Sequence, residues 1–83
     1  MSINLKPLYA DHELDIRCLS LKDAATEITQ CLIGVALGSS LEIIVSDQEM
    51  GKELLKWVEA AGHRIIGSSS DFECQRIYIE RQF

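Results

Sequence analysis

Two amphipathic helical stripes flank one short β-branched run, and this alternation leaves few folds open. Leu21, Ala25, Ile28 and Leu32 recur at i, i+4, i+7 and i+11, widened by Ala24, Cys31 and Val35. Met50, Leu54, Trp57 and Ala61 form a second stripe, supported by Val58, with Lys52, Glu53, Lys56 and Glu59 on the wet side. Between them Leu41-Glu42-Ile43-Ile44-Val45 carries one charge and suits a buried strand. Each helix has a start signal. Ser20-Leu21-Lys22-Asp23 and Ser46-Asp47-Gln48-Glu49 resemble capping boxes, whose side-chain oxygens accept early helical amides. Gly38-Ser39-Ser40 closes the first segment, and Gly62 sits where a left-handed helix stop is wanted.

Strands complete the frame. Leu14, Ile16 and Cys18 alternate with Asp15 and Arg17 at the two-residue period of a half-buried strand. His63 to Gly67 and Gln75 to Glu80 read as a hairpin joined by Ser68-Ser69-Ser70-Asp71. The order is β-α-β-α-β-β. Right-handed parallel crossovers then place both helices on one face of a four-stranded mixed sheet, an α/β (α+β) two-layer sandwich. Glu42 and Arg76 are expected on the open sheet face. Residues 1–12 read as an N-terminal arm, because they lack a period and hold the single proline, Pro7; residues 13–83 read as one domain.

Composition narrows the function classes. Thirteen acidic residues against eight basic ones give a net charge of −5, and the cations are scattered singly, so a phosphate-backbone partner is disfavoured. The apolar stretch from Cys31 to Leu37 is far short of the ~20 residues of a membrane span. Met1 to Pro7 lack the basic-then-apolar layout of a secretory signal, so the chain is expected in the cytoplasm. Three cysteines without a C-x-x-C pair fit neither a disulfide framework nor a structural zinc site, and no cofactor or metal is expected.

From Leu14 to about Glu80 the sequence resembles the TusA-like (SirA-type) sulfur carriers, and the match needs no gaps before the final hairpin. Leu14-Asp15 matches the end of that family's first strand, Leu19 the leucine of its Gly-Leu-x-Cys-Pro-x-Pro motif, and Gly38 the glycine before its second strand. Leu41 to Asp47 resembles its hydrophobic strand ending in Asp, and Gly62-His63 the close of its second helix. The resemblance implies the same β-α-β-α-β-β order. It also implies a persulfide carried on a helix N-terminal cysteine, received from a cysteine desulfurase and passed to a downstream acceptor. That position is Leu21 here, Lys22 and Ala24 replace the two prolines, and Cys18 replaces the glycine. A hydrocarbon side chain holds no sulfur, and the Ser20 hydroxyl forms no stable substitute.

Two readings follow from the resemblance. In the first, the chain is a degenerate homologue that acts by protein binding rather than as an enzyme. Its expected partner surface is Leu19, Ser20, Leu21, Lys22 and Asp23. In the second, Cys18 is the sulfur-carrying thiol of an active carrier. Its alternation with Leu14 and Ile16 points Cys18 instead into the core, as a small hydrophobe. Cys31 lies on the first helical stripe and is expected in the core; Cys74 follows the serine-rich turn and is expected near the surface. Asp11-His12-Glu13 reads as a solvated cluster, since neighbours on an extended chain face opposite sides. His63 is placed to cap the second helix, and no spacing recommends pairing it with Cys18 as a base. Trp57 is expected to pack.

Overall fold

A computed structural model describes residues 10–70 and 74–83. Its elements are β1 (His12–Asp15), α1 (Leu21–Ile33), β2 (Ser40–Val45), α2 (Gln48–Ala61), β3 (Arg64–Ser70) and β4 (Gln75–Glu80). The four strands form one mixed sheet in the order β1-β2-β4-β3, with β1 parallel to β2 and β4 antiparallel to both its neighbours. Since β1, β2 and β3 therefore run the same way, each helix returns across the sheet. The expected two-layer arrangement is the one found.

The core lies between the layers. Leu14, Ile43 and Ile77 are cross-strand partners in one row, and Leu41, Ile79 and Ile65 in another. Ala24, Ile28 and Leu32 from α1 and Leu54 and Val58 from α2 pack onto these rows as one buried cluster. β2 is the most enclosed strand, as its largely apolar run with the single charge of Glu42 implies. The opposite sheet face is polar, as expected at Glu42 and Arg76: Arg76 donates to Glu42 at 2.9 Å, and the Tyr78 hydroxyl reaches the same carboxylate at 3.3 Å. Burial and Glu42 both push the Tyr78 phenol upward.

Several local expectations shift. β1 begins at His12, inside the stretch read as an arm, and Asp11 is already anchored. Its backbone amide donates to Ser40 Oγ, while Ser40 donates from its amide to Asp11 Oδ2, both at 3.0 Å. The remainder of the arm, residues 1–9, lies outside the described residues. α1 buries Ala24, Ile28 and Leu32, whereas Leu21 is exposed and Ala25 half-buried. The buried stripe is thus rotated toward Ala24, on the side of α1 that meets the sheet, and Leu21 falls at its edge. α1 stops at Gly34 rather than Gly38; Gly38 instead supplies a left-handed turn, φ +83°, before β2. α2 is capped by Asp47, not Ser46, with Asp47 Oδ1 accepting from the Met50 amide at 2.8 Å. Gly62 adopts the left-handed stop at φ +94°. β3 starts at Arg64 and runs through Ser68, Ser69 and Ser70, which pair with β4 instead of turning. The hairpin connection falls on residues 71–73, outside the described residues. No helix among those described is long and apolar enough to cross a membrane.

Candidate functional site

The residues singled out by sequence converge on the corner between β1 and α1. Ile16, one residue past β1, is fully buried, and its amide still donates to Ile44 O at 3.0 Å. The chain then turns: the Leu19 amide donates to Ile16 O at 3.1 Å, leaving Arg17 and Cys18 as the two central residues. Asp15 fixes that turn. Its carboxylate accepts the Arg17 amide at 3.0 Å and the Arg17 guanidinium through two bonds of 2.9 and 2.7 Å. This fork holds the Asp15 carboxyl down at about 2, through the side-chain bond first and the backbone bond second. It raises Arg17 in turn, with Cys74 and Cys18 as smaller contributors.

Cys18 is therefore exposed, contrary to the alternation that directed it into the core. The two-residue period ends with the strand at Asp15, and a turn residue owes nothing to it. The thiol opens into a shallow hollow of about 640 Å³ walled by Asp15, Arg17, Leu19 and Glu27. Cys74 moves the opposite way, and Cys31 stays close to its expected place. Cys74 is buried, correcting the surface expectation, because β4 follows immediately and carries it into the sheet. Cys31 is half-buried against the core, and desolvation first, with Glu27 second, raises its thiol pKa.

Beyond the turn, Ser20 caps α1, its Oγ accepting from the Asp23 amide at 3.2 Å. Leu19 folds partly inward against the core. Leu21, at the first helical position, stays 43% exposed, with Lys22 and Asp23 also in solvent. The five residues expected as a partner surface thus form one continuous corner. Leu21 also begins a row that sequence reading missed. Leu21, Ala25, Thr29 and Ile33 line one wall of a groove along the outer seam between the helices, and Trp57 and Ala61 line the other. The i, i+4, i+8, i+12 spacing was its signal, overlooked because the row overlaps the stripe assigned to the core.

His63 lies away from this corner. β1 ends beside Cys18 while His63 precedes the parallel β3, so the two occupy opposite ends of the sheet. His63 stacks on Phe83 with ring centroids 4.5 Å apart, and its Nδ1 accepts the Gln82 amide at 3.2 Å. Desolvation and then Arg81 lower its pKa. Its backbone amide does cap α2, donating to the Val58 carbonyl at 3.2 Å beside the Gly62 stop, while Arg81 donates to the Ile33 carbonyl at the end of α1 and to the Val35 carbonyl just beyond it. Among the described residues no three His, Cys, Asp or Glu side chains converge as a metal site. Compared with known proteins, the chain matches no family model and no curated sequence.

Proposed function

We propose that this chain is a divergent TusA-like protein of the cytoplasm that acts by docking onto a protein partner, not by carrying sulfur at the start of α1. The observation that carries this reading is Leu21, a hydrocarbon side chain left 43% exposed at the first helical position, where the resemblance puts the reactive cysteine. An exposed apolar residue beside Leu19, Lys22 and Asp23 supports a contact surface and offers no nucleophile. By resemblance the partner is a cysteine desulfurase or a downstream sulfur acceptor. Incubated with such a desulfurase and cysteine, the protein is expected to form a complex without gaining sulfur by intact mass. Leu21→Asp is expected to weaken that complex at least tenfold while circular dichroism stays unchanged. A complex indifferent to Leu21→Asp overturns the reading.

One observation favours a second reading, an active carrier using Cys18: the thiol is exposed in the turn just ahead of the Ser20 cap, beside Arg17. In that reaction the Cys18 thiolate attacks the sulfane sulfur of the desulfurase persulfide. The new S–S bond forms on Cys18, the old one breaks, and the desulfurase cysteine leaves as thiolate. An added sulfur that disappears in Cys18→Ser but persists in Cys74→Ser establishes this reading over the first.

A further inference from the structure

We propose that the groove between the first half of α1 and the middle of α2 seats an apolar helix of a partner protein flanked by acidic residues. The inference rests on the docking reading above and specifies the partner's chemistry. The groove holds about 630 Å³ and is walled by Leu21 and Ala25 on one side and Trp57 on the other. Its rims carry Lys22 on α1 and Lys56 on α2, so an ammonium stands on each side of whatever lies between.

What sets these two lysines apart is their place on the groove: Lys52, also without an ion pair among the described residues, does not line it. Among the described residues, Arg17, Arg76 and Arg64 meet carboxylates at 2.7, 2.9 and 3.7 Å, and Arg81 is engaged by backbone carbonyls. Among the described residues Lys22 has no ion pair, and Lys56 reaches Glu53 only at 3.8 Å through two largely exposed side chains. Such a contact is easily exchanged for a partner's carboxylate. Glu53 also lines the groove and repels a carboxylate on its own turn, which confines acidic partner residues to the neighbourhood of Lys22 and Lys56. An apolar strip between opposed cations fits the helix-in-groove mode of recognition. Other occupants fit less well. A net charge of −5 on each copy opposes self-association, and it opposes an anionic membrane surface as well.

Selection of a random helical-peptide library on the intact chain is expected to enrich peptides with large apolar residues at i, i+4 flanked by Asp or Glu. A selected peptide should shift the emission of Trp57, the single tryptophan, and move the amide resonances of Leu21, Ala25 and Lys56. The double variant Lys22→Glu/Lys56→Glu is expected to lose tenfold or more in affinity, regained when the peptide's acidic residues are changed to lysine. Enriched peptides lacking acidic residues, or indifferent to the reversal, overturn the proposal. A Trp57 shift produced by phosphatidylglycerol vesicles but by no selected peptide also overturns it, as does a concentration-dependent dimer abolished by Leu21→Asp. Desulfurase binding, measured in parallel, separates the two levels. A complex that survives Lys22→Glu/Lys56→Glu but not Leu21→Asp sinks the groove proposal alone, whereas one indifferent to both sinks the docking reading beneath it.

Discussion

Asp15 serves two ends with one carboxylate: it terminates β1 by accepting the Arg17 amide, and it immobilises the Arg17 side chain through a two-pronged ion pair. Its folded pKa of about 2 lies below the ordinary 3.8. The carboxylate is thus favoured in the fold, and its contribution is complete above that ordinary value and is lost as pH falls through about 2. Arg17→Ala is expected to return the Asp15 carboxyl toward 3.8, read by carbon-detected NMR titration, and to loosen the turn that presents Cys18. This residue-level device was hidden in the sequence. Asp-x-Arg is too common a spacing to announce a clamp, and the strand period continues through Ile16 and Cys18 as though no turn intervened. Only the position of the last ladder bond, Ile16 N–H to Ile44 O, decides which way Cys18 faces.

Helix ends were the more legible features, because their chemistry is local. Ser20 and Gly62 act at the positions their residue types imply, and Asp47 differs from Ser46 by one residue within the same signal. Asp47→Ala is expected to cost about 1 kcal/mol, the usual value of a lost N-cap, in urea unfolding. Gly62→Ala should cost at least as much: φ is +94°, and a Cβ there would lie 3.0 Å from Phe83 Cε2. Ser46→Ala serves as the control and should change little. The end of α1 was not legible. Its last turn holds no basic residue, and the cation on its final carbonyl, that of Ile33, comes from Arg81, 48 residues away. A contact of that separation leaves no local trace. The same holds for the inter-helical groove, since a row such as Leu21, Ala25, Thr29 and Ile33 reads identically whether it meets a core or a partner.

For the molecule as a whole, the element order was readable because the periods alternate cleanly, but strand order was not. Nothing local tells Gln75–Glu80 to enter between β2 and β3 rather than to extend an edge. The apolar character of Ile77, Tyr78 and Ile79 is consistent with a central place, and all three are buried. A fragment ending at residue 73 therefore lacks the strand that joins the two halves of the sheet. It is expected to show no cooperative thermal transition by circular dichroism and a collapsed amide spectrum, in contrast to the full chain. The insertion also has a consequence for partial unfolding. Because β4 lies between β2 and β3, peeling away residues 75–80 bares an inner edge on each of those strands at once, leaving two unpaired edges open to a neighbouring chain.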